Sequence, residues 1–100
     1  MSYRAERSVK DASVSSEDSF TGWLQLDAGD RCSISISGLS SGSGTVHFQR
    51  RFDGQTARDV KSYTDDAEES YEADERCEVR LGVKSGNYTS GTFDLRCGKG

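Results

Sequence analysis

Thr45–Thr64, TVHFQRRFDGQTARDVKSYT, and Arg76–Cys97, RCEVRLGVKSGNYTSGTFDLRC, decide how this chain folds. In the first, Val46 and Phe48 alternate with Thr45, His47 and Gln49 before the segment runs into Arg50, Arg51 and Phe52. Asp53-Gly54 then gives a tight turn, because glycine supplies the positive φ that such a turn needs. A return strand follows, carrying Val60 and Tyr63. In the second stretch Cys77, Val79, Leu81 and Val83 fall on one face, with Glu78, Arg80 and Lys84 on the other. Ser85–Gly91 forms a loop, and Phe93, Leu95 and Cys97 make a final strand. Period-two alternation broken by Gly-containing turns is the pattern of antiparallel hairpins.

The same period extends towards the N-terminus. In RCSISISG, Cys32, Ile34 and Ile36 alternate with Arg31 and three serines. Before it, Phe20, Leu24 and Leu26 share a face and Trp23 points to the other, with DAGD at 27–30 as a turn. LSSGSG at 39–44 reads as a flexible loop. No window keeps apolar residues at the i, i+3, i+4, i+7 spacing of a helix. The expectation is an all-β chain, an Ig-like or fibronectin-type antiparallel β-sandwich of about seven short strands with an extended N-terminal arm. Residues 1–19 would be the arm and 20–98 the sandwich. MSYRAERSVKDASVSSEDS has almost no large apolar side chain, so it either lies on a neighbouring subunit or runs along its own sandwich. If it is an arm, removing it leaves the fold intact and abolishes attachment.

One hundred residues make one domain with a thin core. Apolar residues are 32% of the chain, below the usual ~45–50% of globular domains, which leaves room for stabilisation by assembly. A net charge of −4 argues against nucleic acid as a partner, since phosphate contacts need clustered Lys and Arg. No apolar run is long enough to span a membrane, and MSYRAERSVK lacks the apolar stretch of a signal peptide, so synthesis in a cytoplasm is expected.

No residue set has the types and spacing that catalysis requires, and no enzyme or cofactor is expected. His47, the only histidine, sits on a polar strand face. Cys32, Cys77 and Cys97 are too far apart for a zinc pair; they read either as buried small hydrophobes or, for Cys32 and Cys77, as a staple between sheets. Asp65–Glu78 holds eight carboxylates and one arginine without the alternation of a calcium loop. It reads as a solvated loop, with Ser70–Glu72 as a short edge strand. Its charge suits a basic patch of Arg50, Arg51, Arg58 and Lys61 on another copy. Trp23 is out of phase with its apolar neighbours. With Tyr3, Tyr63, Tyr71 and Tyr88 it either fills a sheet corner or anchors a partner or sugar.

Laid out as hairpins, the chain resembles a family of small β-sandwich virion structural proteins of tailed bacteriophages. The likeness rests on Gly44-Thr-Val-His-Phe-Gln-Arg-Arg-Phe-Asp-Gly54, Asp59-Val-Lys-Ser-Tyr-Thr64 and Arg80-Leu-Gly-Val-Lys-Ser-Gly-Asn-Tyr-Thr-Ser-Gly-Thr92. It covers residues 20–97 and is most specific in the last hairpin. Arg51 and Gln55 depart from the family's SFDGG, and Ala57 stands where an aromatic is usual. The resemblance implies a non-enzymatic virion protein made in the bacterial host's cytoplasm. Its partners would be the major capsid protein or other virion subunits and copies of itself, with no nucleic acid and no membrane. Capsid decoration (cement) between capsomers suits a small acidic domain best. A tail, neck or baseplate subunit is the alternative within the virion, and a carbohydrate- or surface-binding module displayed on the particle is the alternative outside that class. Contact is expected through Tyr3, Arg4 and Arg7 of the arm, through Arg50 and Arg51, and through Trp23.

Overall fold

A computed structural model of the protein describes residues 8–52 and 56–99. Tyr3, Arg4, Arg7 and the Asp53-Gly54 turn lie outside the described residues. Every regular element is a strand: β1 (Ser8–Val14), β2 (Ser19–Phe20), β3 (Leu24–Leu26), β4 (Arg31–Ser37), β5 (Ser43–Gly44), β6 (Val46–Arg51), β7 (Arg58–Tyr63), β8 (Ala67–Glu72), β9 (Cys77–Val83), β10 (Tyr88–Ser90) and β11 (Phe93–Lys99). Seven of them run six or seven residues, and the other four are fragments of two or three.

Nine of the strands form two facing antiparallel sheets, and β5 pairs with β10 as a separate two-stranded ribbon. One has the order β1-β11-β4-β8. The other has the order β2-β9-β6-β7, with β3 continuing β2 along the same edge of β9. Counting β2 and β3 as one broken strand, the pairings nest: β1 with β11, β2/β3 with β9, β4 with β8, and β6 with β7. A single long hairpin rolled into two four-stranded layers has this order, which is that of a jelly roll. The all-β antiparallel sandwich expected from the sequence is present, but its connectivity differs from the Ig type, in which the two layers are ABED and CFG. Period and turn spacing specify strands, and both topologies use the same strands.

Alternation explains the core. Cys32, Ile34 and Ile36 of β4 meet Phe93, Leu95 and Cys97 of β11 on the inner face of one sheet. Val46 and Phe48 of β6 and Cys77, Val79, Leu81 and Val83 of β9 cover the inner face of the other. All three cysteines are buried and free, so no staple joins the sheets. Val60 does not serve as an inward residue. The β6–β7 register shifts beside Phe48 and leaves Val60 as the extra residue of a bulge, 41% exposed. Tyr63 beyond it is buried.

For Ser8–Val14 the structure shows the second of the two readings, and the acidic segment departs from its expectation. Ser8–Val14 is not free: it pairs with β11 at seven positions from Ser8↔Lys99 to Val14↔Phe93, and Val14 is buried. Within the polar segment 1–19, Ser8–Val14 therefore lies along its own sandwich. The acidic segment is likewise no loop, because Ala67–Glu72 is a full edge strand paired to β4. The loop at 39–44 is also tied down. Asp66 accepts the Leu39 N–H at 2.8 Å and the Ser40 N–H at 3.0 Å, and Leu39 is buried.

Candidate functional site

The β6–β9 register sets His47, Gln49 and Arg51 opposite Gly82, Arg80 and Glu78 on the outer face of the second sheet. Trp23 reaches the same face because the strand edge breaks between β2 and β3. Thr21, buried in the break, maintains the ladder: its N–H donates to the Leu81 carbonyl at 2.8 Å, and its hydroxyl oxygen accepts the Leu81 N–H at 3.2 Å. Leu24 then resumes pairing opposite Val79, which leaves Trp23 level with Arg80.

Four side chains stack there. The Arg51 guanidinium carbon lies 4.1 Å from the Trp23 ring centroid. That of Arg80 lies 4.4 Å from Trp23 and 3.8 Å from Phe20. Guanidinium groups are planar and weakly hydrated, so they stack on aromatic faces where ammonium groups do not. Arg51 Nε also donates to Glu78 at 2.7 Å. Arg80 Nε donates to Gln49 Oε1 at 2.9 Å, and Gln49 Nε2 donates to Asp59 at 2.9 Å. Lys84 Nζ donates to Asp59 at 2.8 Å. With Lys84 and Gln49 both donating to it, the Asp59 carboxyl is held below the usual carboxylate range.

His47 closes this network. Its Nε2 is 3.1 Å from Asn87 Oδ1, and its Nδ1 is buried, 3.7 Å from Asp59, with no hydrogen-bond partner. The surface reading of His47 from the sequence is too simple, since the ring is a half-buried part of the polar face. Trp23 is half-buried too, and two cations lie over the ring where a sugar would stack. Arg80, which stood in the sequence as a polar-face residue and as the start of the last-hairpin motif, is the centre of this arrangement, and nothing in that motif pointed to its contacts with Phe20 and Trp23.

Arg50 and Arg51 do not act as a pair. Arg51 is on the outer face, whereas Arg50 has the inward phase and lies opposite Val79 at the sheet's end. There its Nη1 donates to the Tyr71 hydroxyl at 2.9 Å, from one sheet to the other. Lys61 donates to Glu69 at 2.8 Å, and the Tyr63 hydroxyl donates to the same carboxylate at 2.8 Å. These contacts hold the Glu69 carboxyl below its ordinary range, with Lys61 the main cause. Basic β6–β7 residues thus meet the acidic strand within one molecule, along the open side between β7 and β8. Of the basic patch, Arg51 and Lys61 therefore already have carboxylate partners in the acidic segment of their own molecule, Glu78 and Glu69.

The other sheet turns a flat, small-residue face outward. Ser33, Ser35 and Ser37 of β4 lie opposite Gly98, Arg96 and Asp94 of β11. Shallow depressions flank Arg96 on both sides. The thiols face the core, and burial pushes the Cys32 thiol up to about 11 and raises Cys77 and Cys97 as well, so none is poised as a nucleophile. Among the described residues no three His, Cys, Asp or Glu side chains gather as metal ligands do. Among the described residues no helix is long and apolar enough to cross a membrane.

No protein-family model matches the chain, and no curated protein does. Among solved structures it is similar to a chain of the acidic stable capsid structure of Helicobacter pylori bacteriophage KHP30. The TM-score is 0.48 at 16% identity, over 93% of this chain and 86% of that one.

Proposed function

We propose that the chain is a structural protein of a tailed-phage virion, and that it decorates the capsid by binding between capsomers. The observation that carries this reading is how the residues behind the family resemblance fit together. Gly44–Arg51 and Arg80–Thr92 lie far apart in sequence, yet β5 pairs with β10 and β6 with β9. Thr45 N–H donates to the Asn87 carbonyl at 2.9 Å, and a side chain at Gly44 would sit 2.8 Å from that same oxygen. The Tyr88 hydroxyl donates to the Gly91 carbonyl at 2.8 Å, and the Tyr88 ring lies against Phe93. The likeness therefore falls on one interlocked unit, where chance similarity would scatter over unrelated surface loops.

Decoration also suits the chemistry. The domain offers flat sheet faces and an edge strand that leads back to residues 1–7, which carry Tyr3, Arg4 and Arg7. Contacts of this kind are individually modest and gain strength when many copies are held on one shell. The sugar-binding alternative loses its anchor, because the Trp23 ring already carries two guanidinium groups.

A cryo-electron reconstruction of purified particles tests the proposal. Density for this chain repeated over the whole shell supports decoration. Density confined to one vertex or to the tail makes the chain a neck or tail subunit, and its absence from particles overturns the virion reading. Deleting residues 1–7 is expected to abolish attachment while leaving the thermal unfolding midpoint unchanged.

A further inference from the structure

Two cations, Arg51 and Arg80, share the Trp23 ring, and one carboxylate, Glu78, serves them. Glu78 is engaged by Arg51. Arg80 has no carboxylate within ion-pair distance among the described residues, and its hydrogen bond there is from Nε to the neutral Gln49. Yet its orientation is fixed, by Phe20 and Trp23 against its plane and by Gln49 at its stem. Gln49 is itself buried and anchored through Asp59 to Lys84. A guanidinium held this way offers its Nη donors in the fork that matches a carboxylate, with little ordering left to do on binding.

The matching group is on the same chain, in the turn that leads into β9. Asp74 and Glu75, in the turn between β8 and β9, are adjacent and exposed, and among the described residues neither makes an ion pair or hydrogen bond. The other adjacent acidic pairs each have a member in use, through Glu17 to Gly86 N–H, Asp66 to Leu39 N–H and Glu69 to Lys61. The turn is also rigid. Ala73 is buried, its N–H donates to the Asp30 carbonyl at 2.9 Å, and its carbonyl accepts the Gly29 N–H at 2.8 Å. Within one molecule the two poles are apart: Arg80 stands three strand residues beyond Cys77, roughly 10 Å along β9, and its guanidinium is held against the Phe20 and Trp23 rings.

We propose that Arg80 receives a carboxylate from a second copy of this chain, supplied by Asp74 and Glu75. The contact joins unlike surfaces and is therefore heterologous, so copies associate head to tail. It does not depend on the capsid reading, and its test needs no particles, so failure of one leaves the other standing.

Sedimentation velocity of the purified full chain over a concentration series, at low and high salt, reads the contact directly. The expected result is concentration-dependent association that weakens as salt rises. In the doubly neutral variant Asp74→Asn/Glu75→Gln, which touches no core residue, association should be at least ~10-fold weaker. Arg80→Gln should be equally impaired. Mixing those two variants should then restore one-to-one complexes, because one retains the receptor and the other the donor. Wild-type protein that stays monomeric at every concentration overturns the proposal, as does an Asp74→Asn/Glu75→Gln variant that associates like the wild type. If Arg80→Gln does not fold, the acidic variant and the salt series still decide.

Discussion

Gly82 shows how tightly single positions are constrained. It pairs with Phe20 across the sheet, and a β-carbon added there would overlap the Phe20 ring and lie 2.6 Å from the Ser19 carbonyl. The aromatic ring covers the bare backbone, and Arg80 stacks on that ring. Gly82→Ala should therefore cost about 2 kcal/mol or more and also disturb the cation ladder, which urea unfolding and tryptophan fluorescence would register together. The thiols give a second check. Burial on folding lifts the Cys32 thiol from its ordinary value of 9.0 to about 11, so the native state holds its proton more firmly than the unfolded chain. Its contribution to stability is complete below that ordinary value and is lost as pH rises through the raised one. A thiol reagent at neutral pH should modify the three cysteines slowly in native protein and fully once it is unfolded.

At the scale of the element, the legible strands and the hidden ones differ in a physical way. β4 and β9 alternate cleanly because each is an inner strand with one face on the core and one in water. β1 and β8 are edge strands, and their inward phase reaches the rim of the sandwich. Lys10 takes the inward phase beside Cys97 and lies across Gly22, while Glu69 takes it opposite Ile34. A charge pointing inward at an edge discourages pairing with another chain. It also erases the apolar period that sequence reading depends on. The nested strand order was illegible for another reason, since it pairs residues as distant as Ser8 and Lys99. The polar face could be read as polar, but not the convergence of Trp23, Arg51 and Arg80, which needs the break between β2 and β3. Two results follow. Deleting residues 1–14 should prevent stable folding, because β11 loses one of its two ladder partners and the buried Val14 is removed from the core beside Phe93; circular dichroism of the deletion would show it. Tyr71→Phe removes the hydroxyl that receives Arg50 from the other sheet and should cost about 1–2 kcal/mol in chemical denaturation.

For the whole molecule, acid is the condition to which stability should respond most. Asp30, Asp59, Asp66 and Glu69 all sit below their ordinary carboxylate range. Their chief causes are the Asp27 N–H, Lys84, the Ser40 N–H and Lys61 respectively. A depressed carboxyl binds fewer protons in the folded state, so its stabilisation is present above its unfolded value and is lost as pH falls below it. The thermal midpoint should hold steady down to about pH 5 and decline below about pH 4.

The nesting of strands has a consequence for how the protein is made. β1 is made early and its ladder partner β11 late, so the sheet they share lacks one of its two inner strands until β11 emerges. Each earlier strand waits as well, β2 and β3 for β9 and β4 for β8, and refolding from denaturant should accordingly take on the order of milliseconds to seconds. A nascent chain interrupted anywhere before Phe93 would carry an unclosed inner edge, which makes it material for a protease and withholds it from assembly.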